Sequence, residues 1–169
     1  GTCTSSIKTL LEWERRREDI KVGMAAVMGS VPDRTALPPL DVAFGETTHS
    51  ATYTRHAISY VAERDDQARW TAFLYVPLTS KGPSETWPTI LATHPTSPLG
   101  AAWSEARNPP LNYAAELASR GYVVIAPDYP TMGGQSAYSC EEAEAGAGAG
   151  SHASCTIKGV LNHMRAIDV

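Results

Sequence analysis

The sequence lacks a long basic run and long apolar runs, and each absence removes a class of partner. Fourteen lysines and arginines are scattered against 18 acidic residues, for a net charge of −4. Nucleic acids and anionic membranes are read by clustered Lys and Arg, so neither is an expected partner. No apolar stretch approaches the ~18 residues that span a bilayer. Cysteine is scarce: Cys3, Cys140 and Cys155 are an odd number and form no C-x-x-C spacing. His152 and His163 have no thiolate or carboxylate at ligand spacing, so no metal is expected. Neither G-x-G-x-x-G nor G-x-x-x-x-G-K-[ST] follows a predicted strand, which leaves no nucleotide cradle. Residues Gly1–Leu10 lack the charged start and apolar block of a signal peptide. The chain opens with Gly rather than Met, which reads as a processed, tagged or truncated start. The compartment, cytoplasmic or secreted, stays open.

What is present suits one domain with a sizeable core. The 169 residues are 43% apolar and 19% charged, and a chain of this length buries roughly 70% of its unfolded surface. Ser5 to Met28 has helical periodicity through Ile7, Leu10, Leu11, Ile20, Met24, Val27 and Met28, with Ser5 and Ser6 as caps. The mixed charges of Glu12–Lys21 read as a solvated face. Val31–Leu40 carries three prolines and is an extended connection. Residues 1–40 are therefore a helix and connection, and 41–169 the main domain.

Tyr53–Glu63 and Arg69–Val76 alternate apolar and polar residues around the polar turn Arg64–Gln67, which predicts an antiparallel hairpin. Trp87–His94 and Tyr122–Ala126 are short apolar runs of the buried type, separated by the helix Asn112–Arg120 and closed by Gly121. That is a βαβ unit, and the fold class is α/β. Glu141–Gly150 is low in complexity and reads as a loop. Cys140 and Cys155 flank it; they could pair in an oxidising compartment, but two unpaired thiols are the expectation. Thr156–Val169 is again helical, with Ile157, Val160, Leu161, Met164 and Ile167 in one stripe. No stop signal follows Val169, which reads as truncation.

Two motifs carry a resemblance. His94-Pro95-Thr96 ends the first buried strand, and Gly121–Ser136 reads G-Y-V-V-I-A-P-D-Y-P-T-M-G-G-Q-S. With W-E-R-R-R near the start, G-M-A-A-V-M-G and T-I-K-G-V-L-N-H-M-R-A-I-D, they resemble the α/β-hydrolase superfamily. The nearest branch is that of dienelactone-hydrolase-like and acetyl-xylan-esterase-like proteins. The similarity runs from about Trp13 to Val169. It implies the N-terminal half of that fold, an antiparallel hairpin followed by βαβ, preceded by the N-terminal helix.

The resemblance also assigns roles. His94-Pro95-Thr96 is similar to the H-G-x segment that supplies an oxyanion-hole N–H. Pro95 has none, so Thr96 is the candidate donor. His94 and Asp128 would structure their loops, and Trp103, Tyr113 and Tyr129 could line a pocket wall. No cofactor is implied.

The serine nucleophile belongs in G-x-S-x-G, and no serine here has that setting. Ser136 has Tyr138 where the second glycine belongs, and Ser151, Ser154 and Cys155 follow no predicted strand. The triad is therefore expected to be absent and the domain incomplete, lacking the nucleophile elbow and later strands. In the full protein a small carboxylic ester would be the substrate; this piece alone would be inactive. The family's strand order would leave Thr89–Thr93 as an open edge. Its partner would be the missing C-terminal half, or a self-associating copy. The competing expectation is a non-catalytic binding or interaction module of the same fold.

Overall fold

The computed structural model describes residues 6–31, 34–35, 37–63, 69–79, 86–105, 112–141 and 152–169. The predicted turn Arg64–Gln67 and nearly all of the stretch Glu141–Gly150 lie outside these residues, as do Cys3 and Ser151. Helix α1 spans Leu10–Met28. The strands are β1 (Ala43–His49), β2 (Tyr53–Tyr60), β3 (Trp70–Pro77), β4 (Thr89–Leu91) and β5 (Val123–Pro127). Helix α2 is Tyr113–Ser119, α3 is Cys155–Ile167, and 3-10 turns occupy Gly100–Glu105 and Gly133–Gln135.

Five strands form one sheet in the order β1-β2-β3-β5-β4. Strands β1, β2, β3 and β5 pair antiparallel in turn, and β5 pairs parallel with β4. The class is α/β as expected, and β5 lies between β3 and β4, which places β4 at the end of the sheet among the described residues. The antiparallel part, however, is a three-stranded meander rather than a hairpin. Strand β1 has no fully buried residue, and its register slips between Phe44 and Thr47. An exposed strand broken by a bulge leaves no alternation for a reader of the sequence to find.

Alternation on the inner strands builds two cores. Ile58, Tyr60, Ala62, Trp70, Ala72 and Ile125 face α3, with Ala166 among them. Tyr75, Val124 and Ala126 point to the other face, where Ala101, Ala114 and Ala118 pack from the 3-10 turn and α2. Small alanines let α2 lie close to the sheet. The Tyr60 hydroxyl donates to the Asn162 carbonyl at 3.0 Å, fixing α3 on its face.

Helix α1 starts later than its periodicity suggests. Thr9 Oγ1 accepts from the Glu12 N–H at 3.2 Å, and the Glu12 carboxylate accepts from the Thr9 N–H at 2.9 Å. This capping box satisfies two N–H groups at once. Ser6 has Thr9, not Glu or Gln, three residues on and cannot form one. The apolar stripe of α1 also differs from its expected role: the helix has no buried residue. Its last turn alone is tied down, through the Met28 carbonyl, which accepts from Ser154 Oγ at 2.5 Å. Arg34, Pro38 and Leu40 are stitched to the body: Arg34 pairs with Asp168, Arg165 bonds the Pro38 carbonyl, and the Val61 N–H donates to the Leu40 carbonyl.

Cys140 and Cys155 form a disulfide, with Cα atoms 5.3 Å apart. This corrects the expectation of two unpaired thiols. The 15-residue separation carries no pairing signal by itself. Contact follows from the docking of α3, whose first residue, Cys155, is held by Ser154 as N-cap.

Beside α3 lies a buried ionic cluster. Glu63 accepts from His152 Nε2 at 2.9 Å and from Lys158 Nζ, and the Lys158 ammonium sits 5.0 Å from the Trp70 ring centroid. Lys158 is almost wholly enclosed. Burial pushes the Glu63 carboxyl up, but hydrogen bonds from His152 and Lys158 outweigh it and hold the carboxyl below the usual range. A depressed carboxylate stabilises the fold above its unfolded pKa and loses that contribution as pH falls through the folded value. Urea unfolding of wild type and Glu63→Gln should therefore differ at neutral pH. The gap should close in acid, below the usual glutamate range; a gap constant with pH would refute this linkage.

Candidate active site

Strands β4 and β5 run parallel, so the chain leaves both at the same edge of the sheet. In open α/β sheets this carboxyl edge is where ligands bind. It carries His94-Pro95-Thr96 after β4 and Asp128-Tyr129 after β5. Because β3 runs antiparallel to β5, its first residues, Trp70 and Thr71, lie at this edge too.

Asp128 is the organising group. One carboxylate oxygen accepts from the Ala101 N–H at 2.7 Å. The other accepts from Thr71 Oγ1 at 2.5 Å and from the Gly134 N–H at 3.1 Å. The Asp128 N–H returns a bond to the Thr71 carbonyl at 2.9 Å. One buried side chain thus joins β3 and both 3-10 turns. Gly100 and Gly133 sit at φ +56° and +57°, and a Cβ on either would overlap the carboxylate. Only glycine meets both demands there. Gln135 reinforces the joint by donating to the Arg69 carbonyl at 2.9 Å. In the same loop Thr131 holds φ +73°, a conformation uncommon for a β-branched residue.

His94 joins the two loops. Its Nε2 accepts from the Tyr129 N–H at 3.2 Å, so the ring proton is on Nδ1, which donates to the Pro95 carbonyl at 2.8 Å. Tyr113, at the start of α2, donates its hydroxyl to the Thr93 carbonyl at 2.6 Å, one residue upstream. Burial pushes the Tyr113 phenol up, which keeps that donor protonated. Thr96, just after these anchored residues, is exposed, and among the described residues nothing accepts from its N–H.

The proposed pocket-wall residues take separate places. Tyr113 packs on the α2 core as well as bonding Thr93. Tyr129 lies on α3: its ring occupies the space a side chain at Gly159 would need, and its hydroxyl donates to the Cys155 carbonyl at 3.4 Å. Trp103 is half-buried in the first 3-10 turn, its indole N–H enclosed without an acceptor among the described residues.

His163, on α3, packs at this edge. It stacks edge-on against Tyr129 at 5.8 Å. Burial, with His94 close by, pushes its pKa below the usual histidine range, against a hydrogen bond to the Asp128 backbone. Nothing in the residue order marks His163 as a neighbour of His94; docking of α3 brings them together. No group of three or more His, Cys, Asp or Glu able to hold a metal occurs among the described residues. No helix among them is long and apolar enough to cross a membrane.

The hydroxyls of Ser97 and Ser104 are engaged in local structure, and Ser136 contributes its backbone N–H. Ser97 Oγ accepts from the Leu99 N–H at 3.2 Å, Ser104 Oγ donates to the Ala101 carbonyl at 2.7 Å, and Ser136 closes the second 3-10 turn. The arrangement leaves the Thr96 N–H facing no acceptor among the described residues, on a segment anchored through His94 and Tyr113.

The fold is similar to that of a solved structure, described as a "putative acetyl xylan esterase", from Bacteroides fragilis NCTC 9343. The chain shares that protein's fold. The TM-score is 0.62 at 14% sequence identity, over 94% of this chain. The match covers 43% of the Bacteroides fragilis chain, so this sequence spans less than half of that protein's length. No protein-family model matches the chain, and no curated protein does.

Proposed function

We propose that this chain is the N-terminal portion of a serine-type hydrolase of carboxylic esters, in the acetyl-xylan-esterase-like and dienelactone-hydrolase-like branch of the α/β-hydrolases. The observation that carries the reading is the Thr96 N–H just after β4, which has no acceptor among the described residues, on a fold shared with the Bacteroides fragilis protein. A tetrahedral intermediate places negative charge on the former carbonyl oxygen, and a fixed N–H stabilises it without reorganising. His94 and Tyr113 hold the segment that carries Thr96, and Asp128 holds the turns around it. The nucleophilic serine, the acid and the histidine base come from a further segment. Strand β4, which pairs only with β5 among the described residues, offers that segment its edge.

The test is an assay of the purified chain with a nitrophenyl ester, expected to show no turnover above background. Saturable hydrolysis by these 169 residues would mean that the nucleophile has been misplaced. Adding a polypeptide with the remaining strands and a G-x-S-x-G turn should restore hydrolysis, and serine replacement in that turn should abolish it.

A further inference from the structure

Helix α1 poses a physical problem. It is 19 residues long with no buried side chain, whereas helices in proteins draw most of their stability from packing an apolar face. Its apolar residues are nevertheless ordered. Leu10, Trp13, Arg17, Ile20, Met24 and Val27 follow alternating three- and four-residue steps, the spacing of a coiled-coil seam. Five of the six are apolar and all five are exposed, Leu10 at 72% and Val27 at 82%.

We propose that α1 pairs with α1 of a second copy of this chain as an antiparallel two-helix coiled coil. Charge selects both occupant and direction. In the antiparallel register that overlaps the helices almost fully, Leu10 meets Val27 of the second copy, Trp13 meets Met24 and Arg17 meets Ile20. The thioether of Met24 beside an indole is a favourable contact. Glu14 then flanks the seam opposite Lys21 of the second copy, and symmetry repeats the pair. In a parallel arrangement Arg16 would face Lys21 instead, setting like charges together. Arg17, the one polar residue in the seam, is the kind of group that fixes register at some cost in stability. The Thr9–Glu12 capping box gives the helix a defined start.

Sedimentation velocity of the full chain across a concentration series tests this directly. A concentration-dependent monomer–dimer equilibrium is expected, and Ile20→Glu should abolish it while leaving the body folded by near-UV circular dichroism. Lys21→Glu separates the directions. It should weaken the antiparallel dimer about tenfold, since two attractive pairs become repulsive, but would tighten a parallel one. Combining it with Glu14→Lys should restore affinity. A chain that stays monomeric throughout overturns the proposal, as does a dimer indifferent to Ile20→Glu, which would use another surface such as the edge of β4. Tightening by Lys21→Glu overturns the antiparallel assignment.

Discussion

Replacing Asp128 with alanine should lower the free energy of unfolding by about 4 kcal/mol, read from the urea midpoint at constant m-value. The side chain accepts from Thr71, Ala101 and Gly134, and all three donors lose their partner together. Asp128 is 6% exposed, so water has little route to replace its carboxylate without opening the turns. Gly100 and Gly133, placed at positive φ around the carboxylate, would border a void instead of an anion. Asp128→Asn keeps the shape but turns one acceptor into a donor facing a donor, and should cost less than alanine. A loss below about 1 kcal/mol for alanine would fall to the level of an ordinary hydrogen bond and sink the view of Asp128 as the joint between β3 and both 3-10 turns.

Removing the Cys140–Cys155 bridge should cost about 3 kcal/mol, the entropy that a cross-link closing a loop near 15 residues takes from the unfolded chain. In a domain of this size that lowers Tm by about 6–12 °C. Calorimetry with and without a reductant measures it. The double variant Cys140→Ser, Cys155→Ser should unfold at the lower temperature under both conditions, which separates the bridge from other effects of the reductant. An unchanged Tm on reduction would show that α3 docks without help from the cross-link.

The inner strands were legible because one residue in two is forced to the core. Ile58, Tyr60 and Ala62 alternate, as do Trp70 and Ala72, and burial follows that pattern. The apolar residues Ile157 and Leu161 announced the inward face of α3, but Lys158, Asn162 and Arg165 share it as buried polar groups. Composition could not show that Lys158 is answered by Glu63, 95 residues away along the chain. The stripe of α1 was legible as a period and misleading as a core face, since periodicity records that a face is apolar and not what covers it. The same limit applies at the candidate site. His94, Thr96 and Asp128 stand in readable motifs, whereas Gly100 reads only as one more glycine until the carboxylate beside it is located. The pairing of Cys140 with Cys155 is likewise a product of tertiary docking, invisible in their spacing.

The polarity of the sheet has a use at the bench. The turn from β1 to β2 closes through the Ser50 N–H and the Tyr53 carbonyl, beside the end of β3 and the start of β5. Thr96 and Asp128 stand at the opposite rim. An affinity tag or reporter peptide spliced in at exposed Ala51 therefore sits remote from the Thr96 segment, on the kind of small, polar tip that accepts extra chain.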